Sequence, residues 1–189
     1  SSKMKGVYSS GGSTANLLGL GAARQWAFEQ RGHDAAEEGV NASCRIYVSS
    51  ACHHTIHRAC AVLGMGRKAV VSVPVDAEGR MQVTLLNNCL ARDARAGHVI
   101  VAIVGNAGTT DTGAIDPLNE LSKVAKQAKC WFHVDGAYGL PGILDPEVTH
   151  LYEGLAGADS VTVDPHKWLG APVGIGVTYV RDRSILGRA

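Results

Sequence analysis

No run of 18 or more apolar residues occurs in the 189-residue sequence, so no segment has the length and apolarity of a transmembrane helix. Net charge is also missing: 18 basic and 17 acidic side chains leave +1, which gives no field to attract nucleic acid or an anionic membrane surface. The five cysteines, at 44, 52, 60, 89 and 130, form no C-x-x-C pair. An odd, scattered set reads as reduced thiols and predicts a cytoplasmic protein. No signal peptide is visible at Ser1, and the opening "SSKMKG" reads as a cut or tagged end. There is no internal repeat, no low-complexity tract and no glycine-rich loop with the Gly-Lys-Ser/Thr ending of a nucleotide-binding P-loop.

What is present is an ordinary globular composition, 46% apolar and 19% charged, with 23 glycines that call for many tight turns. The length suits one domain with a substantial core, taken as residues 1–189. Runs rich in β-formers at 44–49, 68–73, 99–106, 130–135, 160–164 and 174–180 predict strands. Between them, 15–30, 55–63, 84–96, 117–129 and 147–155 predict helices, and the polar stretch 29–41 predicts a helix end and an exposed loop. Such alternation implies an α/β fold with a mostly parallel central sheet in three layers. Residues 99–106, "VIVAIVGN", are apolar enough for a central strand covered on both faces. In such sheets ligands bind beyond the carboxyl ends of the strands. The loops at 49–54, 106–112, 135–138 and 164–167 are therefore where chemistry is expected, and they are rich in hydroxyls, histidines and carboxylates.

Asp135 ends one predicted strand and Lys167 follows another. A carboxylate and an amine delivered to one crevice suggest carbonyl chemistry through a Schiff base. The apolar neighbours Trp168, Leu169 and Pro172 are expected to enclose the amine. Gly12 and Ser13 open a helix, where free N–H groups and a glycine backbone suit a phosphate, although most such starts merely cap. Residues 105–113, "GNAGTTDTG", form a second hydroxyl-rich loop, readable equally as a connecting turn. His53 and His57 have the i, i+4 spacing of metal ligands, but no third ligand stands near them in sequence, and no metal is expected. His53 can instead present a flat ring to a planar ligand. A single molecule answers all these groups at once: pyridoxal 5′-phosphate, with its phosphate, aldehyde, basic ring nitrogen and aromatic face.

In their order, the motifs "SSGGSTANLLGL" (9–20), "ACHHTIHRA" (51–59), "GNAGTTDTGAID" (105–116), "HVDGAYG" (133–139) and "ADSVTVDPHKWLG" (158–170) resemble those of the pyridoxal-phosphate decarboxylases of the aromatic-amino-acid and glutamate group. The likeness runs from about Gly6 to the end, and its most specific part is the pair of motifs holding Asp135 and Lys167, 32 positions apart. It implies the large, cofactor-binding domain of the fold type I pyridoxal-phosphate enzymes. It also implies a partial chain, without an N-terminal dimer-wrapping segment or a small C-terminal domain. The roles implied are Lys167 as the Schiff-base lysine, Asp135 as partner of the ring nitrogen, Ala137 against one ring face and His53, or else His54, on the other. Gly12, Ser13 and His166 would meet the phosphate, and Thr110 would lie near the ring substituents. The implied reaction is decarboxylation of an L-amino acid to amine and carbon dioxide by a homodimer. Another reaction of the same cofactor (aminotransferase, lyase or aldehyde synthase) or a non-catalytic module is the alternative. Asp164 departs from the asparagine of many relatives and adds a charge; His54 and His57 match no family motif and are expected at the surface.

Overall fold

Residues 99–106 do form the central strand, β4 (Val99–Asn106), with almost every side chain buried. The computed structural model describes residues 4–189. On one side of β4 stands β2 (Cys44–Ser49) and then β3 (Val70–Val73); on the other stand β5 (Trp131–Asp135), β6 (Ser160–Val163), β7 (Gly176–Val180) and β1 (Lys5–Ser9). The five strands from β3 to β6 run parallel, whereas β7 is antiparallel to both of its neighbours. The fold is thus the expected α/β class with a mostly parallel sheet.

Helices cover both faces. α1 (Gly12–Glu29) and α3 (Thr55–Val62) share one face, and α4 (Val83–Arg95) and α5 (Leu118–Ala128) share the other. In α5 the buried positions Leu118, Leu121, Val124 and Ala125 recur at helical spacing, while Glu120, Lys123 and Lys126 face solvent. The chain winds outward from β2 to β3 and then returns past β2 to lay down β4, so the sense of winding reverses between β2 and β4. That reversal opens a crevice at the carboxyl ends of these strands.

Three local expectations are corrected. The helix expected at 147–155 is two short 3-10 turns, Thr149–Tyr152 and Leu155–Gly157. Between them Gly154, at φ 94°, lies against the start of α5, where a Cβ would come within 2.3 Å of the Asn119 backbone. The strand expected from 68 begins at Val70, after the 3-10 turn Arg67–Ala69. The polar stretch 29–41 contains a short helix, α2 (Ala35–Glu38), started by the Asp34 carboxylate accepting from the Ala36 and Glu37 N–H groups. β1 was not expected at all; it joins the sheet through antiparallel pairing with β7.

Candidate active site

Alternation along β5 decides what reaches the crevice. Trp131, His133 and Asp135 point toward α1, while Phe132 and Val134 point into the apolar layer under α4 and α5. Asp135, the last residue of the strand, is 7% exposed at the edge of a cavity of about 230 Å3. Its Oδ2 accepts from the Asn16 amide at 2.8 Å, and its Oδ1 accepts from the Ala137 N–H at 3.1 Å. Both oxygens are thereby anchored.

Beyond β6, Asp164 leads into the single turn α6 (Pro165–Trp168), which carries His166 and Lys167. The Asp164 carboxylate is 3% exposed and sits 3.2 Å from Lys167 Nζ through Oδ2; its Oδ1 is buried without a hydrogen-bond partner. Lys167 is about a third exposed, and Trp168, Leu169 and Pro172 are exposed too. The expected apolar enclosure of the amine is therefore not formed; what meets Lys167 inside the cavity is a carboxylate. His166 donates from Nδ1 to the Ile175 carbonyl at 2.7 Å, which leaves Nε2 as its second polar atom.

The N-terminus of α1 closes the cavity from another side. No side chain caps it: Gly11, at φ 83° and ψ 174°, precedes the helix, and the Ser10 and Thr14 hydroxyls bond each other at 3.1 Å. The first N–H groups of an 18-residue helix thus remain available to an anion. Gly12 faces Asp164 so closely that a Cβ would lie 2.6 Å from its Oδ2, so only glycine leaves this cradle open.

The loops after β2 and β4 complete the wall. His53 lines the cavity, and His54, its ring tilted by 38° with centroids 4.2 Å apart, is not among the lining residues. His53 Nδ1 lies 2.9 Å from Thr55 Oγ1, and burial holds its imidazole below the ordinary histidine pKa. Among the described residues, no three histidine, cysteine or carboxylate side chains gather into a metal-holding group. Ala137 and Thr110 also line the cavity, Thr110 as an exposed residue. The structure thus brings all the expected residues to one place: Gly12 and Ser13 from the start of α1, His53 and Thr110 from the loops after β2 and β4, Asp135 and Ala137 from the end of β5, and His166 and Lys167 from α6.

Sequence reading missed Asn16, Thr55 and Asn106. Asn16 lies one turn into α1 from Gly12 and so faces the same way, and Asn106 pairs in register with Asp135 at the ends of β4 and β5. Asn106 donates to Asp116, which also accepts from the Met81 N–H and so ties the 107–115 loop to the sheet. An uncapped helix end, a glycine cradle, an anchored carboxylate, a flat imidazole and an amine make a donor set that fits pyridoxal 5′-phosphate.

Comparison with known proteins gives the family and the fold. The family model described as the pyridoxal-dependent decarboxylase conserved domain matches residues 1–189. The chain is 40% identical over 179 residues to an L-2,4-diaminobutyrate decarboxylase of Rhizobium meliloti (strain 1021), covering 95% of this chain and 34% of the relative. It is 35% identical over 184 residues to an aromatic-L-amino-acid decarboxylase of Bacillus atrophaeus, covering 97% and 36%. Among solved structures, the glutamate decarboxylase domain of a diaminobutyrate-pyruvate transaminase and L-2,4-diaminobutyrate decarboxylase from Vibrio parahaemolyticus superposes with a TM-score of 0.94 at 37% identity, over 99% of this chain and 41% of that one. The chain spans about a third of the length of these curated relatives.

Proposed function

The chain belongs to the pyridoxal-dependent decarboxylase family, and from that premise we propose that it forms the cofactor-binding large domain (residues 1–189) of an enzyme that converts an L-amino acid to its amine and carbon dioxide. The cofactor is pyridoxal 5′-phosphate, which supplies an aldehyde for the substrate amine and a cationic ring that accepts the electrons of the broken bond. The observation that carries the reading is the convergence of Asp135 and Lys167 on one cavity beside the uncapped start of α1.

Position in the cavity supports a role for each residue. The N–H groups at Gly12 and Ser13, the Ser13 hydroxyl and His166 would hold the phosphate. Asp135, with Asn16 and the Ala137 N–H bonded to its two oxygens, presents a fixed negative charge to the protonated ring nitrogen. His53 and Ala137 would hold the ring between them, with Thr110 nearby in the same cavity wall. Lys167 would be the nucleophilic amine facing the cofactor's aldehyde, with Asp164 as its counter-ion in the free site. Five cysteines without a disulfide support a reducing, cytoplasmic setting. Exposed Trp168, Leu169 and Val173 beside the site support a homodimer in the full-length protein.

Carbon dioxide release tests the reading. Full-length protein supplied with pyridoxal 5′-phosphate is offered a panel of L-amino acids. The proposal expects carbon dioxide and the matching amine from at least one of them, and none with Lys167→Ala. Keto acid or aldehyde as the only product would replace decarboxylation with another reaction of the same cofactor.

A further inference from the structure

Behind Asp135 a line of buried polar side chains continues under α1. Trp131 Nε1 lies 2.7 Å from Ser160 Oγ, which lies 2.7 Å from His133 Nδ1. His133 Nε2 lies 3.0 Å from Asn16 Oδ1, and Asn16 Nδ2 lies 2.8 Å from Asp135 Oδ2. His133 and Ser160 are fully buried, and Asn16 is 1% exposed. His133 and Ser160 are neighbours across the parallel pair β5–β6, so the sheet register itself sets one link of the line.

With His133 neutral, every bond in this line has one workable direction. The carboxylate of Asp135 can only accept, so Asn16 turns its NH2 toward Asp135 and its carbonyl toward His133. That carbonyl needs a donor, which requires the hydrogen of His133 on Nε2. In the neutral imidazole with its hydrogen on Nε2, Nδ1 must accept, so Ser160 Oγ accepts from the Trp131 indole and gives its own hydrogen to His133 Nδ1. Reversing the imidazole tautomer would set two acceptors face to face at Asn16. Burial favours the same form, since it pushes the His133 pKa down to about 4 against the opposing pull of the Asp135 charge.

A second, independent feature concerns space. Gly19 of α1 lies directly over the imidazole, where a Cβ would come within 2.6 Å of His133 Cε1 and 2.8 Å of Nδ1. Glycine inside a helix is unfavourable compared with alanine. Its presence here lets α1 descend until Asn16 can bridge His133 and Asp135.

We propose that His133 is a positioning residue: as the neutral Nε2–H tautomer it fixes the Asn16 amide, and through Asn16 it sets the direction in which Asp135 meets the cofactor's ring nitrogen. The proposal rests on the pyridoxal phosphate reading above. A line of this kind makes the orientation of Asp135 depend on Trp131, at the opposite end of β5, and on a helix that also carries the phosphate-binding end.

The test uses the full-length protein in two steps. Nitrogen-15 NMR of histidine-labelled protein without cofactor is expected to show His133 with hydrogen on Nε2 only, unchanged between pH 5.5 and 8. Pyridoxal 5′-phosphate is then titrated into wild type, His133→Leu, His133→Gln and Asn16→Ala. His133→Leu and Asn16→Ala are expected to bind it about tenfold more weakly, as loss of a hydrogen bond aimed at a charged group implies. Their bound cofactor is also expected to show an altered ratio of visible to near-ultraviolet absorption. His133→Gln keeps a donor for Asn16 and is expected to restore both readouts whatever its effect on melting temperature. Hydrogen on Nδ1, titration near the ordinary histidine value, or variants altered in melting temperature but not in affinity or spectrum would overturn the proposal alone. A wild-type protein that takes up no pyridoxal phosphate would overturn the functional reading and this proposal with it.

Discussion

The two faces of β5 divide the labour of the molecule. Phe132 and Val134 enter a layer built from Ile103, Leu86, Leu118 and Leu121, in which adhesion is apolar. Trp131, His133 and Asp135, on the other face, border the apolar cluster under α1 but carry a line of hydrogen-bonded polar groups at the same depth of burial. Burial without pairing is costly for such groups, so this face requires partners of defined direction, whereas the apolar face requires only volume and shape. The difference teaches that one strand can supply stability and chemistry separately, because successive side chains never share a face.

Substitutions on the two faces should fail in different ways. The largest effect is expected on the polar face: Asp135→Ala should lower turnover by about a hundredfold to a thousandfold, as removal of a preorganised charge does, with a small change in melting temperature. Steady-state kinetics beside calorimetry checks this; a proportionate loss of stability would dissolve the contrast. On the apolar face, Phe132→Ala should cost about 3–5 kcal/mol and Leu121→Ala about 2–5 kcal/mol in urea denaturation. The cofactor affinity of the surviving folded protein should stay as it was.

The comparison sharpens with pH. His133 is neutral when folded, its pKa lowered by burial from 6.5 to about 4, so only the unfolded chain takes up its proton between those values. Its contribution is therefore present above about pH 6.5 and is lost as pH falls toward 4, by a few kcal/mol in all. Denaturation curves of His133→Leu should fall less steeply with acid than those of wild type, while Phe132→Ala should keep the wild-type slope. The smallest effect belongs to Thr178, whose buried hydroxyl donates to the Ala15 carbonyl at 2.7 Å and helps seat α1 on β7. Thr178→Val should cost about 1 kcal/mol, and a neutral result would show that α1 is seated by packing alone.

The apolar face was largely legible in the sequence, because β-rich runs and helical spacing report burial directly. The endpoints of the parallel strands were legible for the same reason, and with them the loops that bear His53, Thr110, Asp135 and Lys167. The buried polar line was not. His133 and Asp135 each meet Asn16 across more than a hundred residues of chain, 117 and 119 positions, and no local pattern marks a partner at that distance. The surroundings of Lys167 misled for a related reason: Trp168 and Leu169 are apolar in sequence yet turn outward, and the charge that meets the amine comes from Asp164. β1 and α2 escaped notice because pairing with β7 and a cap by Asp34 made them, rather than any strong propensity of their own.

The central claim is that Lys167 is the amine that takes the cofactor's aldehyde. Borohydride treatment of the full-length protein with pyridoxal 5′-phosphate, followed by peptide mass spectrometry, tests it most directly. The account predicts one stable cofactor adduct, on Lys167, lost in Lys167→Ala and displaced when a substrate amino acid is added first. An adduct spread over surface lysines, or one that persists at full yield in Lys167→Ala, would contradict it.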